Sequence, residues 1–248
     1  MFPILQLGPL ALRTPGLLLL LGLYLGLSLA ERRLPRRGAP DANQLYNLFL
    51  IAVGVGLVTA RLAFIVQNPA LFRGSWLNWL ALDARLLDPW TGITLGLLAA
   101  LVYGQRKRLS FWETLDAFTP VAATLAVFLG LAHLASGNAY GLPTSLPWGI
   151  ELWGAKRHPT QIYEILLALG MLAWLWPRFQ QETRPGTLFA RFLTAYAAAT
   201  LFIHAWRADS TLVTGGFRLE QILAWLAMAL GFWLWARLEQ DEQTQSYG

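Results

Sequence analysis

The stretch YNLFLIAVGVGLVTARLAFIVQ, Tyr46–Gln67, decides the fold: it is apolar almost throughout and carries one ionic side chain, Arg61. About 20 such residues in a row are enough to cross the hydrocarbon core as a helix, the one open-chain structure that satisfies its own backbone there. Similar runs recur on both sides of it, at Leu12–Ala30, Trp90–Gly104, Thr114–Ala135, Gln161–Trp176, Thr187–Trp206 and Leu219–Leu238. The run at Trp90–Gly104 is short and rich in Gly and Ala. The composition agrees: of 248 residues, 56% are hydrophobic and 13% charged, with a mean hydropathy of +0.45. A soluble domain carries about a quarter charged residues, so this chain has too few ionic groups to solvate a globule of its size. The expected architecture is all-α, a polytopic integral membrane protein with about seven transmembrane helices, in a single domain over residues 1–248.

The basic residues set the orientation. Arg32, Arg33, Arg36 and Arg37 follow the first run, Arg106, Lys107 and Arg108 the third, and Arg178, Arg184 and Arg191 the fifth. The alternate loops are less densely basic, with Arg73 and Arg85, then Lys156 and Arg157, then Arg207 and Arg218. Lysine and arginine concentrate on the cytoplasmic side, so the N-terminus is expected outside and the tail Glu239–Gly248 inside. Trp76, Trp79, Trp90, Trp148, Trp153 and Trp206 then fall at the outer surface, where indole rings prefer the headgroup zone. A cleaved signal peptide ending at Ala30 is disfavoured, because its charges lie behind the apolar run instead of before it. The net charge of +5 belongs to these short loops. No basic stripe with interleaved aromatics marks a nucleic-acid surface. The absence of cysteine excludes disulfides, thiolate nucleophiles and Cys-ligated zinc.

Polar residues gather at four places that a simple membrane helix does not need. Arg61 stands on the outer half of the second helix, where it either snorkels or meets a lipid phosphate. Arg157-His158-Pro159-Thr160-Gln161-Ile162-Tyr163-Glu164 opens the fifth helix. Pro159 suits a helix start, but His158, Gln161, Tyr163 and Glu164 exceed what capping requires. Three-residue spacing puts His158, Gln161 and Glu164 on nearly one face. Glu164, inside the apolar slab, needs a partner such as Arg61 or Arg157. The three histidines, His133, His158 and His204, all fall near outer helix ends, and histidine moves protons near neutral pH. No ligand-spaced pair lies within one helix, so a metal is not expected. Ser136-Gly137-Asn138-Ala139-Tyr140-Gly141 supplies a glycine-bearing turn after the fourth helix.

The helix-5 segment resembles the RHPSQLYE motif of the bacterial prolipoprotein diacylglyceryl transferase family. Leu7-Gly8-Pro9-Leu10-Ala11-Leu12 is similar to that family's segment before helix 1, and Ala60-Arg61-Leu62 to its Gly-Arg in helix 2. Ser136–Gly141 is similar to the end of its signature, Asn-Gly-Glu-x-x-Gly. Tyr196 matches a helix-6 tyrosine, Arg207 an arginine at that helix's outer end, and Glu220-Gln221-Ile222-Leu223 the start of helix 7. Elsewhere the pattern departs. The signature's arginine falls on Gly130 and its asparagine on His133. A His-Gly-Gly-Leu run falls on Trp90-Thr91-Gly92-Ile93, a helix-6 arginine on Thr200, a glutamate on His204, and a helix-1 tyrosine on Pro15.

The resemblance implies a seven-helix enzyme of the bacterial inner membrane, without cofactor. It would move the diacylglyceryl group of phosphatidylglycerol to the lipobox cysteine of a preprolipoprotein signal peptide at the outer face. Arg61, Arg157 or Arg207, with Tyr196 and Gly141, would hold the lipid phosphate. His158 or His133 would act as base, and Gln161, Tyr163, Glu164 and His204 would complete the catalytic set. A transferase with another lipid or acceptor, a non-catalytic lipid-binding or membrane-complex subunit, and a transporter are the alternatives. Repeated halves and paired broken helices, which mark many transporters, are not visible in the sequence.

Overall fold

A computed structural model describes residues 4–7, 10–33, 40–72, 86–181, 183–213 and 215–246. Gly8, Pro9, Arg36, Arg37, Arg73, Trp76, Trp79 and Arg85, all used in the sequence reading, lie outside the described residues. Seven α-helices occur among those described: α1 (Thr14–Arg33), α2 (Ala42–Gln67), α3 (Pro89–Arg106), α4 (Phe111–Ser136), α5 (Thr160–Leu175), α6 (Thr187–Trp206) and α7 (Leu219–Ser246). All but α3 are long and apolar enough to cross a membrane. At 1.5 Å per residue α3 reaches about 27 Å, slightly less than a hydrocarbon core. The chain is thus a multi-pass, all-α membrane protein, as the apolar runs predict.

Boundaries differ from the expected ones where side chains redirect the backbone. The second helix starts at Ala42, not Tyr46, because Asp41 and Gln44 close a capping box: Asp41 Oδ1 accepts from the Gln44 amide at 2.7 Å, and Gln44 Oε1 accepts from the Asp41 amide at 3.0 Å. Asp88 similarly accepts from the Thr91 amide at 2.9 Å and starts α3 ahead of Pro89. The seventh helix does not end at Leu238; it continues to Ser246, past a 3.0 Å ion pair between Arg191 and Glu239. Two antiparallel hairpins were not foreseen. Strands β1 (Ile4–Leu7) and β2 (Leu10–Arg13) precede α1, and β3 (Ile150–Leu152) pairs with β4 (Ala155–Arg157) between α4 and α5. The second hairpin turns through Trp153 and Gly154, both at positive φ, as a two-residue loop requires.

The chain forms two compact units, Met1–Arg37 with Leu115–Gly248, and Gly38–Thr114. In the smaller, α2 and α3 meet backbone to backbone. A Cβ on Gly96 would lie 2.5 Å from the Ala52 carbonyl oxygen, so only glycine fits this crossing. In the larger, the core joins Ala123, Ala126 and Val127 of α4 to Ala168, Met171 and Leu175 of α5, with Phe179, Leu188 and Phe192. Asp116, 1% exposed, fixes one end of this core. Gly186 at the α6 N-cap has no capping side chain, and Asp116 accepts from the Gly186 and Phe189 amides at 2.8 Å each. Large apolar side chains elsewhere stay exposed, among them Leu20, Leu50, Val66, Trp225 and Leu226. Acyl chains solvate such side chains in a bilayer.

Candidate active site

The site is built in the larger unit, at the end carrying the β3–β4 hairpin. That end is the one expected outside from the charge distribution. Helix α4 arrives there and stops at Ser136; the chain turns through Gly137 and Ala139 at positive φ. Thr160, the first residue of α5, donates its hydroxyl to the Ala139 carbonyl at 2.5 Å, and Gln161 donates its amide to the Asn138 carbonyl at 2.8 Å. Thr160 and Gln161 are 1% and 0% exposed, so these bonds are made away from solvent. They stitch the Ser136–Gly141 turn to the start of α5.

Gly141 is the keystone of this collar. It bridges to Arg207 beyond α6, and a Cβ there would lie 2.3 Å from the His158 carbonyl oxygen. Leu142 donates its amide to the Trp206 carbonyl at 2.8 Å, and His158 donates its amide to the Leu142 carbonyl at 3.0 Å. Arg157 is spent on the same collar: its guanidinium donates to the Leu152 and Gly141 carbonyls at 3.0 and 3.3 Å and covers the Tyr140 ring at 5.1 Å. Arg207 is likewise committed, donating to both oxygens of Asp209 at 2.8 and 2.9 Å. Asp209 also accepts from the Ala139 amide at 3.1 Å. Burial pushes the Asp209 carboxyl up, but the hydrogen bonds and charge of Arg207, with the amide bonds, outweigh it and hold the group below the usual aspartate range.

Beneath the collar is a cavity of about 110 Å³ between α4, α5 and α6. Its polar lining is His133, Glu164, Tyr196, Thr200, His204 and Arg207. His133 Nδ1 lies 2.7 Å from Glu164 Oε2, with the two side chains 23% and 15% exposed. Glu164 therefore finds its partner in His133, not in Arg157, and Arg61 belongs to the other unit. The close approach of α4 to α5 makes this pair possible: a Cβ on Gly130, one turn before His133, would lie 2.8 Å from Ile165 Cγ1 and 3.1 Å from the Ile165 nitrogen. His204 Nδ1 is 3.0 Å from Ser210 Oγ and 4.0 Å from Glu220 Oε2. Tyr196 stacks on Phe192 at 5.7 Å.

Among curated proteins, a phosphatidylglycerol–prolipoprotein diacylglyceryl transferase of Thermosynechococcus vestitus is 31% identical, over 92% of this chain and 89% of its own. Proteins of the same name from Synechocystis sp. and Clostridioides difficile are 31% and 29% identical, over 91% and 87% of this chain and 85% and 86% of theirs. The profile of the family described as prolipoprotein diacylglyceryl transferase matches residues 3–237. The chain belongs to the prolipoprotein diacylglyceryl transferase family.

Within that family frame, the residues singled out by sequence divide into three groups. His133, Glu164, Tyr196, His204 and Arg207 line one cavity. Arg157, His158, Gln161, Tyr163 and Gly141 build the collar above it. The expected shared face of His158, Gln161 and Glu164 does not form, because α5 starts only at Thr160 and His158 stands ahead of it in the loop. The His158 ring packs on Trp206 at 4.9 Å, outside the cavity lining, and the Tyr163 hydroxyl accepts from Trp148 Nε1 at 2.9 Å. Arg61, in the smaller unit, donates to the Leu86 carbonyl at 3.0 Å and lies 5.3 Å over the Phe72 ring. Sequence reasoning missed Asp209 and Ser210. The polar step Ala208-Asp209-Ser210 directly after α6 was the available signal.

Proposed function

We propose that the chain is a phosphatidylglycerol–prolipoprotein diacylglyceryl transferase of the bacterial cytoplasmic membrane, acting at its outer surface. The carrying observation is the position of the cavity. Glu164 is four residues into α5, about 6 Å below its start, and His133 and His204 are equally close to the ends of their helices. A position just inside the ends of membrane-crossing helices suits a lipid phosphodiester and the cysteine of a signal peptide leaving the membrane. The reaction needs a group to take the thiol proton and donors to meet the charge on the leaving glycerol phosphate. The His133–Glu164 pair suits the first task, and His204 and Tyr196 suit the second. Arg157, His158, Gln161, Tyr163 and Gly141 act by holding the collar.

A second reading is a family member that binds lipid without catalysis. It is favoured by Gly130 and Thr200, which stand where the family resemblance expects arginines, and by Asp209, which neutralises Arg207. The deciding experiment mixes the purified chain with phosphatidylglycerol and a lipobox peptide bearing one cysteine, and seeks the diacylglyceryl thioether by mass spectrometry. Thioether formation that is lost in His133→Ala establishes the transferase. Lipid binding without thioether, beside an active relative as control, establishes the second reading.

A further inference from the structure

We propose that His133 and His204 are held in opposite tautomers, so that one wall of the cavity accepts a proton while the other donates a hydrogen bond. The inference rests on the transferase reading and assigns the two roles within it. Glu164 can only accept, and its oxygen is 2.7 Å from His133 Nδ1. The proton of neutral His133 therefore sits on Nδ1, and its Nε2 presents a lone pair. No hydrogen-bond partner for that Nε2 occurs among the described residues.

The partner of His204 is of another kind. Ser210 Oγ, 3.0 Å from Nδ1, has this imidazole as its hydrogen-bond partner among the described residues. Donating to Nδ1 gives the hydroxyl proton a partner within the protein; accepting from it would leave that proton to solvent. The His204 proton then sits on Nε2. The carboxylate of Glu220, 4.0 Å from Nδ1, is occupied by the Thr211 amide at 3.0 and 3.2 Å. The other charged groups around His204 are Arg218, which donates to its carbonyl, Arg207 with its partner Asp209, and Glu164. On the cavity wall around His133 the titratable and charged groups are Glu164, Tyr196, His204 and Arg207. Each imidazole is thus fixed through Nδ1 by a different chemical partner, and both line the same small space.

The step balances without a further reagent. The thiol proton passes to His133 Nε2 as sulfur bonds to the glyceryl carbon. The bond from that carbon to the phosphate oxygen breaks, and the electron pair stays on the oxygen. The leaving glycerol phosphate carries the extra negative charge, which the His204 Nε2–H meets by hydrogen bonding without giving up its proton. A phosphate monoester has its second pKa near about 6, so the dianion is a stable product at neutral pH. His133 then returns the proton to solvent.

The test uses the full-length chain in lipid nanodiscs, with phosphatidylglycerol and a one-cysteine lipobox peptide, and follows single-turnover rates from pH 6 to 10. His133→Ala is expected to lose about 10²–10⁴-fold at pH 7. It should recover as pH rises through the free thiol value near about 8.5, because a thiolate needs no proton acceptor. His204→Ala is expected to lose about 10²–10³-fold with no such recovery. Nitrogen-15 spectra of the wild type should show Nδ1 protonated in His133 and Nε2 protonated in His204, with Ser210→Ala removing the His204 preference and Ser210→Thr restoring it. A His133→Ala deficit that is flat across pH, or two imidazoles in the same tautomer, overturns the assignment while leaving the transferase intact. A wild type that forms no thioether removes the transferase reading and the assignment with it. If His133→Ala does not fold, Glu164→Leu serves instead: with no acceptor left at Nδ1 the His133 tautomer preference should disappear, and an unchanged tautomer and rate overturn the proposal.

Discussion

Asp209 accepts from Arg207 through both carboxylate oxygens and from the Ala139 amide, joining the loop after α6 to the turn after α4. Its folded pKa lies below its ordinary value of 3.8. The stability it contributes is therefore complete above that value and is lost as pH falls through the lower, folded one. Thermal unfolding in detergent should show a decline below about pH 4 that Asp209→Asn makes smaller. The remainder belongs to other carboxylates such as Asp88, which hydrogen bonds from Thr91 also hold below its ordinary value. At neutral pH the same substitution should cost about 1–3 kcal/mol by weakening a charge-assisted bidentate pair. A change of one methyl at Gly130 should act on the catalytic pair itself. The new Cβ would meet Ile165 at 2.8 Å and push α5 from α4, so Gly130→Ala should destabilise by about 1–3 kcal/mol. It should also lengthen the 2.7 Å His133–Glu164 bond, read as a lower transfer rate. Single residues were only partly legible from sequence. Glu164 and the histidines stood out because an ionisable group in an apolar run demands an explanation. Which partner each would find depended on the close approach of α4 and α5 at Gly130, and nothing in one chain's spacing records an interhelical distance.

At the level of elements, the buried Asp116 does for α6 what a local cap does for α2. It is 1% exposed and holds two amides of another helix seventy and seventy-three residues away. Asp116→Ala should leave those amides unpaired in an apolar surrounding and cost about 1–3 kcal/mol per group. Hydrogen exchange should rise first in the opening turn of α6. In the smaller unit the corresponding weak point is Gly96, where Gly96→Val would drive a branched side chain into the Ala52 carbonyl. Exchange should then rise along α2 and α3, and unchanged protection there would mean that the two helices do not depend on this contact. The helices were legible because their apolar runs have the length a bilayer imposes, and Thr187–Trp206 was bounded as observed. The strands were not. Three or four paired residues carry no alternating pattern long enough to read, and the β3–β4 pairing is set by the turn at Trp153 and Gly154. Likewise the expected inner tail reads as polar, yet its residues favour helix, and Arg191 with Trp235 holds Glu239 in line with α7.

For the molecule as a whole, the remaining question is which way the helices run. The orientation with the site outside is an expectation from charge: Arg178, Arg184 and Arg191 at one end of the larger unit against the loop holding Lys156 and Arg157 at the other. A transferase for exported prolipoproteins works only in that orientation, because the cavity must open where the signal peptide cysteine emerges. The chain contains no cysteine, so each introduced thiol is its own reporter. Within the larger unit, Glu151, exposed on β3 ahead of α5, and Gln180, exposed beyond the far end of α5, bracket the two surfaces. In intact cells a membrane-impermeant maleimide should modify Glu151→Cys fully and leave Gln180→Cys untouched until the membrane is permeabilised. The opposite pattern would put the His133–Glu164 cavity on the cytoplasmic side, out of reach of an exported thiol. It would then favour the lipid-binding reading over the transferase, however complete the family match.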